Sequence, residues 1–188
     1  MKFFTDIMHD LDAYYLEPRS RFELYAEHLE QIKSKLPERV YEFAAAPWHY
    51  DHGEKGPHDS WLESLTIFEP SGGERNSERS IEIEAKLLSG YHDRILTLHY
   101  FGVRKYKIQS PARYKHLPSY KTGHGDWLYD EFHISRSGRV IHEVRFSRGS
   151  TWWIECDDME FKSEPIPGSE ARFHGFDRKK HTDQSRDV

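Results

Sequence analysis

Between Trp127 and Phe161 the chain reads WLYDEFHIS, RSG, RVIHEVRFS, RGS, TWWIECDDMEF, three alternating apolar and polar runs separated by turn residues, which is the pattern of an antiparallel meander. A loop of Arg136, Ser137 and Gly138 places glycine in the left-handed position of a bulged hairpin and pairs Ser135 with Arg139. That register sets Ile134 against Val140, Phe132 against His142, Asp130 against Val144 and Leu128 against Phe146. With Arg148 to Ser150 as the second turn, keeping the apolar face whole predicts Phe146 opposite Trp152, Val144 opposite Ile154 and His142 opposite Cys156.

The same registers place Tyr129, Arg145 and Trp153 side by side on the other face, next to a row of Glu131, Glu143 and Glu155. Like charges facing each other on a sheet cost about 0.2–1 kcal/mol. The row therefore calls for a cation, a metal, a basic partner or water. Aromatic side chains beside a polar rim are also what recognition patches favour. Trp127, Tyr129, Glu131, Glu143, Arg145, Trp153 and Glu155 are accordingly the candidate binding surface.

At 188 residues the chain has the length of one domain, expected over residues 1–164, with a flexible tail of mixed charge over 165–188. A net charge of −5 with no basic stripe disfavours nucleic acid as the main partner. The single cysteine, Cys156, has no intramolecular disulfide partner. The start MKFFTD lacks a signal-peptide core, and no apolar run approaches the length of a membrane span. These features predict a soluble, cytoplasmic protein.

Two N-terminal helices are expected. Phe4, Ile7, Met8, Leu11, Tyr14 and Tyr15 recur at helical spacing over Thr5 to Tyr15, before Pro18. Ser20 and Glu23 then form a capping box ahead of the stripe Phe22, Tyr25, Leu29, Ile32 and Leu36, which Pro37 ends. Arg39 to Ala45 reads as a first strand. Asp59 to Glu69 reads as a central strand covered on both sides, since Trp61, Leu65 and Ile67 oppose Leu62 and Phe68. After an exposed turn over PSGGERNSE, the alternation of Ile81 to Leu87 and of Arg94 to Phe101 gives two further strands. The second continues past a bulge at Gly102 toward Ile108. Gln109 to Gly125 reads as a long loop.

The segment PWHYDHGEKGPHDSW gathers His49, Asp51, His52 and His58, and the later loop adds His124. Imidazole and carboxylate suit zinc or a similar divalent ion, although the spacing matches no zinc signature. The alternative is that Trp48, Tyr50 and Trp61 anchor the loop while its histidines are hydrogen-bonded or exposed. A second constellation, His142 facing Cys156 with Asp130 one step away, has the parts of a nucleophile, a base and an orienting carboxylate. It lies on the core face, where a thiol is inert and a buried His and Asp pair is the simpler reading.

The stretches HDSWLESLTI, YHDRILTLHY, HGDWLYDEF, GRVIHEVRF and WWIEC resemble small bacterial domains of unknown function and, distantly, α+β proteins found beside toxins as immunity factors. The resemblance spans Val40 to Phe161 and carries over no functional residue. The combined expectation is an α+β domain, two N-terminal helices packed on a largely antiparallel meandering sheet. Its predicted role is non-catalytic binding of a protein partner, a basic one suiting the acidic face, with no resident cofactor, no nucleic acid and no membrane. The alternative is a metal-dependent hydrolase that uses the His and Asp loops with Glu131 or Glu143 as general base. The residues leave the choice between enzyme and binding module open.

Overall fold

A computed structural model describes residues 1–4, 20–50, 55–110 and 123–167. The fold is α+β, with helices ahead of antiparallel sheets. Helix α1 (Arg21–Ile32) begins at the expected capping box: Ser20 Oγ accepts from the Glu23 N–H at 3.2 Å, and the Glu23 carboxylate accepts from the Ser20 N–H at 3.1 Å. Its stripe buries Tyr25 and Leu29. The helix expected over Thr5 to Tyr15 lies outside the described residues, as does the tail beyond residue 167.

Arg39 to Ala45 is helical rather than extended, α2 (Glu38–Ala44). The alternation of Tyr41 and Phe43 suggests a strand. The positions that bury, however, are Val40, Phe43 and Ala44, a spacing of three and four that only a helix puts on one face. Pro37, with φ already near helical, starts it.

Strands β1 (Trp61–Phe68), β4 (Glu82–Leu88), β5 (Arg94–Phe101) and β10 (Asp158–Pro165) form one four-stranded sheet in the order β1-β4-β5-β10. Strands β6 (Lys105–Gln109), β7 (Trp127–Ile134), β8 (Val140–Phe146) and β9 (Thr151–Cys156) form another in the order β6-β9-β8-β7. The short pair β2 (Ser71–Gly72) and β3 (Glu78–Arg79) makes an exposed arm.

The two larger sheets share a ribbon. Strand β6 continues β5 past Gly102, and β10 continues β9 past Asp157. The bend is held by Asp157 N–H to Phe101 O at 3.0 Å and Arg104 N–H to Glu155 O at 2.8 Å. At the opposite side a bridge joins Trp61 to Asp126, flanked by Asp59 N–H to Trp127 O at 2.8 Å and Trp127 N–H to Ser60 O at 2.9 Å. The pairings thus run round a ring, β1-β4-β5/β6-β9/β10-β8-β7 and back to β1. The inner faces supply the core, among them Ile83, Leu87, Leu96, Leu98, Trp152 and Ile154.

Strand β1 is not central. Among the described residues it pairs with β4 alone, apart from the Trp61 bridge, and Leu65 and Leu62 are its only half-buried residues. A bulge between Leu62 and Ser64 sets Leu62, Leu65 and Ile67 opposite the inward residues Leu87, Ala85 and Ile83. Apolar residues on both faces here mark an exposed edge rather than a covered centre.

The first meander turn is as expected, with Ser135 N–H bonded to Arg139 O and Gly138 at φ 81°. The second repeats it: Phe146 N–H bonds Ser150 O, and Gly149 takes φ 84°. The turn is therefore Ser147 to Gly149, one residue earlier than expected, and the ladder slips by two. Val144 faces Trp152, His142 faces Ile154 and Val140 faces Cys156. A slip of two preserves the faces and changes every neighbour.

Beyond the bridge, β7 has no strand on its free edge among the described residues, and side chains of α1 and of the turn after α2 serve its backbone instead. Tyr25 Oη accepts from the Phe132 N–H at 2.7 Å, His28 Nε2 donates to Phe132 O at 3.2 Å, and Tyr50 Oη donates to Asp130 O at 2.7 Å. Edges left open invite other chains to pair. Tyr25→Phe leaves the Phe132 N–H buried without an acceptor and is expected to cost about 1–3 kcal/mol in urea unfolding. An unchanged unfolding midpoint would show that water already satisfies that edge.

Candidate functional site

Asp130 points inward from β7 and is wholly buried. His49 Nε2 lies 2.9 and 3.0 Å from its two carboxylate oxygens, His142 Nε2 on β8 lies 2.9 Å from Oδ2, and Trp127 Nε1 donates to Oδ1 at 3.3 Å. Tyr100 on β5 reaches His142 Nδ1 at 2.9 Å, and Phe132 stacks on the same ring at a centroid distance of 4.0 Å. Burial raises the Asp130 carboxyl, but the charge of His49 and the hydrogen bonds from both histidines outweigh it, so the group sits far below the ordinary carboxylate range. Burial pushes the His142 imidazole down and the Tyr100 phenol well up. His142 is thus neutral, donating through Nε2 to Asp130 and accepting the Tyr100 proton at Nδ1.

Both ring nitrogens of His142 are thus engaged. The one lone pair that His142 could use as a base already holds the Tyr100 hydroxyl. Cys156 faces Val140 rather than His142, and burial, helped by the charges of Asp158 and Asp157, pushes its thiol up to about 12. Cavities of about 610, 370 and 340 Å³ are lined by other residues, none of them Asp130, His142, Tyr100 or His49.

The opposite face of β7 carries a second cluster, which sequence reasoning missed. Glu131 is buried and accepts the backbone N–H groups of Lys2, Phe3 and Phe4 at 2.6, 2.7 and 2.6 Å, with His133 Nε2 at 2.9 Å. Burial raises its carboxyl, and the bonds from His133, Lys2, Phe4 and Phe3 bring it below its usual value. Its ladder partner Glu143 holds the Met1 ammonium. Phe4 is buried among Phe22, Tyr25, Tyr50 and Tyr129, at centroid distances of 5.1–5.4 Å. Phe3 packs on Tyr25, His28 and His133.

The expected binding surface is therefore divided. A bulge at Leu128 turns Trp127 from the outer face into the core, opposite Phe146. Tyr129 and Glu131 lie under residues 1–4, beside Glu143. The carboxylate row is broken, since the slip in register puts Trp153 beside Glu143 and moves Glu155 beside Ile141. Glu155 accepts from Ser137 Oγ at 2.9 Å and has Lys105 Nζ at 3.8 Å. Arg145 stands between Tyr129 and Thr151. The counter-charges that the row called for come from within the chain.

The metal candidates are dispersed. His49 serves Asp130, His58 Nδ1 lies 3.2 Å from Asp59, and His124 packs on Phe146 and Trp152, while Asp51 and His52 lie outside the described residues. Among the described residues no three His, Cys, Asp or Glu side chains gather as a metal site. No described helix is long and apolar enough to cross a membrane.

The clusters on β7 make stability depend on pH. Asp130 and Glu131 have folded values below their unfolded ones, so their contribution is present above about pH 4 and is lost as pH falls through the folded values. His142 resists a proton that the unfolded chain accepts below about pH 6.5, which lowers stability from there as well. Melting temperature is expected to decline in two stages on acidification, and Glu131→Gln is expected to flatten the lower one. A lower stage equally steep in that variant would remove Glu131 from the account. The site stands on this chemistry alone, because the chain matches no family model, no curated protein and no solved structure.

Proposed function

We propose that this protein is a non-catalytic protein-binding module whose docking edge is β1. The observation that carries the reading is that β1, which beyond its bridge at Trp61 is paired among the described residues with β4 alone, exposes Trp61 at 45%, Ile67 at 43% and Phe68 at 36%. Scattered apolar residues on a surface mean little, but Ile67 and Phe68 on the stretch beyond the bridge, with Trp61 at its bridged end, offer an extended segment both an edge and apolar contacts. Trp61 is held ready for contact, its Nε1 donating to Asp126 at 2.7 Å and its ring on His92.

Charge selects the partner. Between residues 61 and 86 stand six carboxylates, Glu63, Glu69, Glu74, Glu78, Glu82 and Glu84, against three cations, Arg75, Arg79 and Lys86. An extended segment in which basic residues alternate with apolar ones is complementary to this edge. The basic partner expected for the β7–β9 face thus fits better at β1, since the carboxylates of that face are already engaged. The immunity-type resemblance accords with such a role, the partner then being a toxin. Hydrolysis is disfavoured because His49, His58 and His124 serve separate surroundings and the Nδ1 lone pair of His142 is taken by Tyr100.

Panning a random peptide display library against the protein is expected to select sequences alternating Lys or Arg with large apolar residues. Ile67→Ser with Phe68→Ser should weaken their binding at least about tenfold while shifting stability within about 0.5 kcal/mol, both side chains being exposed. Selected peptides that bind the double variant equally well, or that lack basic residues, would refute the assignment.

A further inference from the structure

We propose that the segment complementary to the β1 edge is carried by this chain itself, in β6, so that a second copy of the chain is the partner of β1. This rests on the β1 reading and names its occupant. Lys105, Tyr106, Lys107 and Ile108 alternate basic with apolar side chains, Arg104 precedes them, and no carboxylate stands among them. Strand β6 pairs with β9 on one side and, among the described residues, with no strand on the other, which leaves an edge for a neighbour. Its side chains are also open: Arg104, Lys105 and Lys107 are exposed, Tyr106 is exposed at 45%, and Ile108 is half-buried.

The faces of the two strands correspond. On β6, Lys105 and Lys107 stand on the outer face beside Glu155 and Trp153, while Tyr106 and Ile108 stand on the inner face beside Ile154 and Trp152. On β1, Thr66 and Phe68 stand outward beside Glu84 and Glu82, while Leu65 and Ile67 stand inward beside Ala85 and Ile83. With inner faces together, β6 of one copy lays Tyr106 and Ile108 against Leu65 and Ile67 of the other. Both lysines then lie on the side of Glu82 and Glu84, and the exposed Glu63 and Glu69 bracket the stretch. The charges also set the mode of assembly. Two β1 edges would bring carboxylates to carboxylates and two β6 edges lysines to lysines, whereas β1 on β6 joins opposite signs. Unlike patches pair head to tail, so each copy keeps a free β1 or β6 and growth leads to a ring or a chain.

Sedimentation velocity of the full-length chain is expected to show a size that rises with concentration, with a Kd below about 1 mM. Tyr106→Ser with Lys107→Glu disables β6, and Ile67→Ser with Phe68→Ser disables β1; all four side chains are exposed, so both variants are expected to keep the fold. Each variant alone should associate at least about tenfold more weakly. An equimolar mixture, in which one intact β1 meets one intact β6, should form a heterodimer that grows no further. If circular dichroism shows either double variant unfolded, Lys107→Glu and Phe68→Ser alone replace them. A monomer at every concentration up to about 1 mM, a variant that associates as the wild type does, or a mixture without heterodimer would overturn the proposal. Basic peptides that still bind β1 of a strictly monomeric chain would uphold the β1 edge and strike only β6 as its occupant.

Discussion

A single buried carboxylate, Asp130, ties the structure together. A charge without water is costly unless neighbours satisfy it, and here each neighbour comes from a different element: His49 from the segment after α2, His142 from β8, Trp127 from the bulged start of β7. Through His142 the chain of bonds reaches Tyr100 on β5, across the interior. Removing one member strands the others, at a cost of about 3–5 kcal/mol for an orphaned buried charge. The network therefore fixes which elements must be adjacent. A His, an Asp and a Cys on one face have the composition of a catalytic triad, but the register sets Cys156 opposite Val140 and the Tyr100 hydroxyl occupies His142 Nδ1.

Strand β7 turns this constraint into two. Asp130 and Phe132 face inward while Tyr129 and Glu131 face outward, the ordinary alternation of a strand. The inward carboxylate gathers histidines; the outward one gathers the backbone of residues 2–4. The same strand lies at the edge of its sheet, so its remaining backbone groups go to Tyr25, His28 and Tyr50. Polar satisfaction on both faces and along one edge holds the first residues, α1 and the turn after α2 against one strand.

Much of this is legible in the sequence where the interaction is local. The capping box at Ser20 and Glu23, the first hairpin at Gly138 and the pairing of Glu131 with Glu143 follow from short-range rules. The second register was also available, because Gly149 stands to Phe146 and Ser150 as Gly138 stands to Ser135 and Arg139. Preferring an unbroken apolar ladder over the glycine position shifts it by two. Helix α2 was signalled by the spacing of Val40, Phe43 and Ala44. The bulge that buries Trp127 has no local marker, since Leu128 resembles any other strand residue. Nor has the docking of Met1–Phe4, which joins positions 127 to 142 residues apart. An unpaired row of carboxylates signals that cations or donors must come from somewhere, but the signal carries no address.

The treatment of the edges differs in a way that bears on function. The edge of β7 is closed by side chains, and β10 has α2 alongside it with Arg39 bonded to Asp158 at 2.9 Å. Strand β6 carries Lys105 and Lys107, the charged residues that discourage pairing at an open edge. On β1 the exposed side chains include the large apolar Trp61, Ile67 and Phe68, with Glu63 the only charge within the strand. Six carboxylates against three cations between residues 61 and 86 make the surroundings of this edge less favourable to acidic segments than to basic ones. Two edges covered by the chain, one carrying lysines and one left apolar are thus different answers to the same demand of unpaired backbone.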